Sequence, residues 1–425
     1  MKNFWSIIYN FVFLPLLYIG LQTAGLFNSK IRRGFKGRKR IFEELILKSR
    51  EIDRSKKTIW VHSSSLGEFE QAKPIIENLF KKGNKNIIIS FFSPSGYDNS
   101  RKYPYADIIS YLPFDSNVKA ERFINIVQPD LVILMRYDIW PNMIWYLKKV
   151  NIPVFLVDAT MKKSSLRALP IIRSFHKALF GDISKILTVS NLDAEAFKIF
   201  NCRDEIIKVV GDTRFDRVYK KSIAAKDKKL IQPSVLEGKK VFVAGSTWEQ
   251  DEEVILPAFV KLAKFDKNVL MIIAPHEPNL LHLEKIENEF SGLLKTIRFS
   301  HLNNYSGERV IIIDSIGILL TLYTYADVAF VGGSFKHNIH NVLEAAVYGI
   351  PVMFGPRIEN SQEAHRLREI GGGLVIRGKK EAYRRMRSLF SEIKLREARG
   401  KISMQLVQEN VGATDKIIEE IENVL

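Results

Sequence analysis

The sequence has 425 residues, room for two or three domains at about 150 residues each. Hydrophobic residues make up 46% and charged residues 26%, which excludes a disordered or fibrous chain. Lysine and arginine number 64 against 47 acids; the formal net charge of +17 favours nucleic acid, an acidic membrane surface or a phosphorylated substrate, and the one cysteine, Cys202, excludes an internal disulfide and a cysteine-cluster metal site.

The chain opens on a nearly uncharged stretch from Asn3 to Asn28, rich in Phe, Leu, Ile, Tyr and Trp and interrupted by Asn10, Pro15 and Gln22. About 20 apolar residues cross a bilayer core, so this segment is long enough to span, and a helix lying in one leaflet is the alternative. Lys30, Arg32, Arg33, Lys36, Arg38, Lys39 and Arg40 follow, against Lys2 in front. That asymmetry runs against a cleaved signal peptide and places everything after residue 30 in the cytoplasm, with a basic cluster suited to anionic head groups. Residues 1–40 are therefore expected to form a single N-terminal membrane anchor with its basic juxtamembrane segment.

Short apolar runs then alternate with amphipathic stretches. In the first half the predicted strands are Thr58–His62, Asn86–Phe92, Asp130–Met135, Ile152–Val157, Lys185–Val189 and Ile206–Val210. In the second half they are Lys240–Ala244, Val269–Ala274, Arg309–Ile313, Asp327–Val331 and Pro351–Phe354. Their Val, Ile and Phe content without strict alternation fits strands buried on both faces of a parallel sheet. Segments such as Glu68–Lys81 and Gln250–Lys264 have helical spacing. Repeated βα units predict an α/β protein of two doubly wound parallel-sheet domains, 41–222 and 223–425, facing each other across a cleft. The polar stretch Asp216–Lys240 reads as the linker, with or without a short helix.

Ligands in such sheets gather at loops leading from strand ends into helices, and five loops carry candidate residues. The first, His62-Ser63-Ser64-Ser65-Leu66-Gly67-Glu68, combines small residues with Gly67, which lets a ligand approach the backbone, and one acid, Glu68, in the first helical turn. Glu68 either serves a site or merely complements the helix dipole, for instance in a capping box with Ser65. At a helix N-terminus its pKa is expected to be lowered. The second loop, Arg136-Tyr137-Asp138-Ile139-Trp140-Pro141, ends an apolar strand in charged and aromatic residues. The third, Gly211-Asp212-Thr213-Arg214-Phe215-Asp216, offers Arg214 either to a phosphate or to the neighbouring aspartates.

The fourth loop, Ala244-Gly245-Ser246-Thr247-Trp248, precedes a helix and has the layout of an anion-binding turn. The fifth runs from Gly332-Gly333-Ser334 through Lys336 to His340-Asn341 and Glu344. A helix starting near His340 would put His340, Asn341 and Glu344 on one face, with N–H groups for a phosphate and a carboxylate for sugar hydroxyls. The sequence contains no Gly-Lys-Ser/Thr, no G-x-G-x-x-G, no H-E-x-x-H and no Asp-x-Asp pair, so metal-independent chemistry without a cofactor is expected.

In this order and spacing, SSSLGEFEQAKPII, RYDIWPN, GDTRFD, AGSTWEQDEE and GGSFKHNIHNVLEAAVYGIPVMFGP resemble the Kdo (3-deoxy-D-manno-octulosonic acid) transferases of glycosyltransferase family 30. The resemblance runs from the anchor to about residue 400. It implies a GT-B fold, an N-terminal acceptor domain and a C-terminal donor domain. It also implies an inverting transfer from CMP-Kdo to a lipid A precursor such as lipid IVA, at the cytoplasmic face of the inner membrane in lipopolysaccharide synthesis. Carried over by position, Glu68 is the catalytic base, with Asp138 as a second catalytic acid. Ser64, Ser65, Arg136 and Trp140 fall on the acceptor side. Gly67, Arg214, Ser246, Thr247, Gly333, Ser334, His340, Asn341 and Glu344 fall on the donor side, and Lys336 is placed there on physical grounds, for the phosphate. Many members carry an acid where Arg136 stands and Glu where Asp138 stands. The implied partners are the CMP-Kdo donor, the lipid acceptor and an anionic membrane surface, without nucleic acid. Alternatives are another membrane-associated GT-B transferase, a UDP-sugar epimerase, or a non-catalytic module that binds anionic lipid.

Overall fold

A computed structural model describes residues 2–425, with side chains from Phe4 onward. The chain forms two compact units, residues 1–217 joined by 412–425, and residues 218–411.

The first unit is built on a seven-stranded sheet: β1 Lys57–Ser63, β2 Lys85–Phe91, β3 Ile108–Tyr111, β4 Leu131–Met135, β5 Val154–Ala159, β6 Lys185–Thr188 and β7 Ile207–Val209, in the order β3-β2-β1-β4-β5-β6-β7. Every neighbouring pair is parallel. The central strands are apolar on both faces because helices cover both; Ile59, Val61, Ile133 and Phe155 are wholly buried. The helix Ala413–Glu422 returns to this unit and packs Ile417, Ile418 and Ile421 into the same core. It is tied there by ion pairs from Glu420 to Lys185 and Lys208.

The second unit repeats the plan with β8 Lys240–Thr247, β9 Val269–Pro275, β10 Thr296–Arg298, β11 Val310–Ile312, β12 Val328–Val331, β13 Val352–Phe354 and β14 Gly373–Val375, in the order β10-β11-β9-β8-β12-β13-β14. It too is wholly parallel and has its own core, centred on Phe242, Phe259 and Phe330. Three strands, β3, β10 and β14, lie outside the sequence prediction; β3 and β10 contain polar residues and β14 starts on glycine, so none reads as an unbroken apolar run. The expected linker is largely helical: Thr213–Lys226 carries the chain from one unit to the other, and a single turn follows at Pro233–Leu236.

The apolar N-terminal segment is one helical run, Phe4–Phe27, long and apolar enough to cross a membrane, with 11% of its most apolar window buried. Pro15 lacks the N–H that an α-helix needs, and just before it the chain widens into a π-turn, Tyr9–Phe13, in which Leu14 N–H donates to Tyr9 O. The run lies along the first unit. Tyr9 Oη donates to the buried Asp115 Oδ2 at 2.9 Å, Asn10 and Asn142 exchange two amide bonds at 2.9 and 3.0 Å, and Trp5 Nε1 donates to Ser174 Oγ at 3.2 Å. Beyond it, on the basic helix Ser29–Gly37, the C-cap Arg38 donates to Leu112 O at 2.7 Å and Phe92 O at 2.5 Å.

Candidate active site

In a doubly wound sheet the crevice for ligand opens where strand order reverses, outside the carboxyl ends of the two strands that flank the reversal. Those strands are β1 and β4 in the first unit and β8 and β12 in the second. Four of the five candidate loops leave these four strands.

In the first unit, Ser65 N-caps the helix Leu66–Lys81, its Oγ accepting from Glu68 N–H at 3.4 Å. The Glu68 carboxylate reaches back and accepts from Ser64 N–H at 2.6 Å, one residue earlier than a capping box would have it. The Ser64 side chain in turn helps hold the Asp138 carboxyl down, so one serine serves both acids. Asp138 also accepts from Trp140 Nε1 at 3.3 Å and from His62 Nε2 at 2.7 Å. His62 is completely buried on β1. Its Nδ1 lies 2.8 Å from Ser90 Oγ, which already accepts from Trp60 Nε1 at 2.8 Å. The ionised Asp138 carboxylate can only accept, so His62 Nε2 donates to it.

These contacts set the charges. Burial pushes the Glu68 carboxyl up, the Asp138 charge adds to this, and together they outweigh the Ser64 N–H bond and His62. The expectation of a lowered Glu68 pKa is thus corrected: the helix end is outweighed by desolvation and a like charge. Burial also pushes Asp138 upward, but its His62 bond and charge win and hold it below the usual carboxylate range. Two neighbouring acids are thereby split, one readily ionised and one with raised proton affinity, the pattern of an acid–base site.

Arg136 and Arg214 belong to a different cluster. Arg136, in the left-handed region at φ 61°, donates from Nε to Gln71 Oε1 at 2.9 Å. Arg214 clasps Asp212 through Nε at 2.9 and 3.0 Å and through a terminal nitrogen at 2.5 Å. Asp158, fully buried, takes Thr213 N–H at 3.2 Å and the Thr213 hydroxyl; burial and Asp212 raise its pKa. Its φ of 50° marks an irregularity in the β5–β6 pairing that turns the carboxylate toward the Thr213 loop.

The second unit has a matching irregularity at Ser246, φ 53°, where the β8–β9 register shifts. Asp251 joins its two loops: one oxygen accepts from Trp248 N–H at 2.9 Å and Gly333 N–H at 2.7 Å, the other from Phe335 N–H at 3.2 Å. Gly332 packs so tightly on the other loop that a Cβ would lie 2.2 Å from Ser246 O. Trp248 Nε1 donates to His340 Nε2 at 3.0 Å, His276 stacks on His340 at 4.3 Å, and Lys336 Nζ sits 3.6 Å above the Trp248 ring. With Nε2 accepting, His340 is neutral and carries its proton on Nδ1. Burial and the neighbouring His276 push its pKa down to about 4.

The expected helix beginning at His340 is not formed. One turn, Leu343–Ala346, starts three residues later, so His340 and Asn341 lie in the loop and do not share a helical face with Glu344. Asn341 instead accepts from Leu343 N–H at 3.1 Å and donates to Glu344 Oε1 at 3.2 Å, while His340 turns toward Trp248. Isoleucine at 339 is buried, which drags the chain inward and breaks the helical period there. Thr247 and Ser334 are buried; the Thr247 hydroxyl donates to Glu252 at 2.7 Å and Ser334 Oγ accepts from Gly355 N–H at 2.6 Å. Gly67 is exposed, and an added Cβ would meet Ser65 Oγ at 3.9 Å, an ordinary contact. His62, Trp248, Asp251 and His276 are absent from the sequence-derived set; the first three stand within the motifs above, but their partners lie 76, 92 and 82 residues away.

Residues 38–217 match the family model described as 3-deoxy-D-manno-octulosonic-acid transferase (kdotransferase). The 3-deoxy-D-manno-octulosonic acid transferase of Aquifex aeolicus is 30% identical over 371 residues, 85% of this chain and 94% of that protein. The chain belongs to the 3-deoxy-D-manno-octulosonic acid transferase family. The Haemophilus influenzae member is 28% identical over 380 residues, 86% of this chain and 87% of that one. Among solved structures, the UDP-GlcNAc 2-epimerase of Neisseria meningitidis bound to UDP-GlcNAc superposes with a TM-score of 0.60 over 86% of this chain and all of that one, at 14% identity. That is a likeness of fold alone, and the fold is of the GT-B type, with two parallel α/β units. As a Kdo transferase family member the chain is a glycosyltransferase.

Proposed function

We propose that this chain transfers Kdo from CMP-Kdo, with inversion, to a hydroxyl of an acylated lipid A precursor such as lipid IVA, in lipopolysaccharide synthesis. The observation that carries the reading is Glu68, a carboxylate of raised proton affinity at the switch point of the first sheet, beside the readily ionised Asp138. Glu68 takes the proton of the attacking 6′-hydroxyl as that oxygen bonds to the anomeric carbon; the bond from that carbon to the phosphate oxygen breaks, and its electron pair leaves on CMP. Asp138 stays charged and keeps the proton affinity of Glu68 high. Ser64, Ser65 and Trp140 shape the acceptor side. On the donor side, Lys336 and the Nδ1–H of neutral His340 serve the phosphate, and Asn341 with Glu344 the sugar hydroxyls. The backbone of Ser246, Thr247, Gly333 and Ser334 forms the donor loops, and Gly67 leaves room for the donor. Arg136 and Arg214 act at the edge of the site, Arg214 with its charge shared by Asp212.

The same reading puts the chain on the cytoplasmic face of the inner membrane. Trp5 and Tyr9, at one end of the apolar helix, and Arg38, past the other, are bonded to the first unit. A helix of 24 residues, about 36 Å long, that lies on one domain over its length fits monotopic attachment better than a span. Purified protein supplied with CMP-Kdo and lipid IVA should form product lipid heavier by whole Kdo units in the mass spectrum. Transfer from a UDP-sugar in place of CMP-Kdo would defeat the reading.

A further inference from the structure

Beside the Asp138 cluster, the N-terminal helix and the first unit enclose an apolar groove that none of the chemistry above uses. Two adjoining cavities, of about 170 and 230 Å³, share Leu21 and Phe114 as walls. Leu14 and Leu17 line one side of the groove, and Phe92 and Trp140 the other. Phe92 and Trp140 lie with ring centroids 4.6 Å apart, and the Trp140 indole N–H bonds Asp138. The groove therefore starts at the wall of the acid cluster and runs along the helix.

Its charges are arranged in two classes. Arg38 is built into the floor: it donates to the carbonyls of Leu112, Phe92 and Gly34 and lies within 5 Å of the Phe92, Tyr111 and Phe114 rings. Lys30 lines one cavity and Lys119 the other, both as exposed side chains. An apolar trough with ammonium groups at its rim complements an acylated anion. The outer face of the same helix exposes Phe11, Val12, Phe13, Leu16 and Ile19, so the trough opens beside a surface suited to lipid.

We propose that this groove holds an acyl chain of the acceptor lipid and thereby brings its sugar hydroxyl to Glu68. This rests on the reading of the acceptor as an acylated phosphosugar. The test has two arms. In the first, lipid IVA carrying a diazirine in one acyl chain is photolysed with wild-type protein and CMP, without CMP-Kdo. Crosslinks should fall on residues 14–21 and 114 and disappear under excess unmodified lipid IVA. Equal labelling of those residues by diazirine phosphatidylglycerol, unaffected by lipid IVA, would mean a bulk-lipid surface and overturn the proposal.

In the second arm, Leu21→Trp and Leu17→Trp narrow the groove; Leu17 is exposed, so its substitution spares the fold. Each should raise the KM for lipid IVA about tenfold and leave kcat/KM for the fully deacylated disaccharide unchanged. Equal losses on both acceptors, or none on either, would overturn it. A wild-type protein that forms no product from either acceptor would instead defeat the functional reading, and the labelling arm would still report on the groove.

Discussion

His62 Nε2 lies 2.7 Å from Asp138 Oδ2, at the end of a chain of contacts that begins at Trp60 and passes through Ser90. A fully buried imidazole thus fixes the ionisation of one acid, and that acid's charge raises the other.

This coupling predicts a pH profile. Glu68 accepts a proton only when ionised, so kcat/KM should fall with decreasing pH through a pKa above the ordinary glutamate value. Asp138→Asn removes the like charge and should shift that acid limb to lower pH, whatever it does to the maximal rate. An unmoved limb would mean the two carboxylates do not sense each other.

Removing the base is the simplest loss. Glu68→Gln keeps the size of the side chain and should lower kcat by about 10²–10⁴-fold while leaving the KM for CMP-Kdo within about twofold. A variant with near wild-type kcat would take the proton transfer away from this residue.

His340 supplies a test in the second unit. Its imidazole is held neutral, with a pKa of about 4 against 6.5 for the free side chain. Between those values the unfolded chain binds the proton and the folded chain does not, so this contribution to stability is full above pH 6.5 and is lost as pH falls toward 4. Thermal melts at pH 7 and pH 4.5 should show a smaller drop in midpoint for His340→Gln than for the wild type. The same variant should raise the donor KM severalfold.

Gly332→Ala should be among the most disruptive small changes in the molecule, because the new methyl would meet the Ser246 carbonyl at 2.2 Å and backbone cannot swing aside. Overpacking of this kind costs about 1–3 kcal/mol, and calorimetry should find it together with weakened CMP binding. Gly378→Ala, in extended backbone with nothing within 4 Å of the added methyl, is the matched control and should be nearly neutral.

The attachment mode is open to a cysteine test. Ser6→Cys and Arg33→Cys, placed near the start of the apolar helix and on the basic helix after it, should both react with a membrane-impermeant maleimide on sealed inside-out vesicles. Buried Cys202 gives little background. Labelling of Ser6→Cys only after the vesicles are opened would establish a span.

Much of this architecture could be read from residue patterns. Eleven runs of Val, Ile and Phe marked strands because burial on both faces leaves few polar positions, whereas β10, Thr-Ile-Arg, and β14, Gly-Leu-Val, carry too little apolar surface to stand out. The strand-end loops were legible from their small and polar residues. What escaped was everything that depends on distant pairing: Asp115 beneath Tyr9, 106 residues apart, or Asp251 across to Gly333. The sign of the Glu68 shift escaped for the same reason, since a helix end is visible in sequence and a neighbouring carboxylate from β4 is not.

The last helix, Ala413–Glu422, closes the core of the unit that the chain begins. During synthesis, then, the sheet translated first must wait for residues 413–422, while residues 218–411 hold all of their own strands and can fold ahead of it. Until that helix emerges, the first sheet lacks Ile417 and Ile421, and a truncation that removes residues 413–422 should cripple a unit whose strands were made long before.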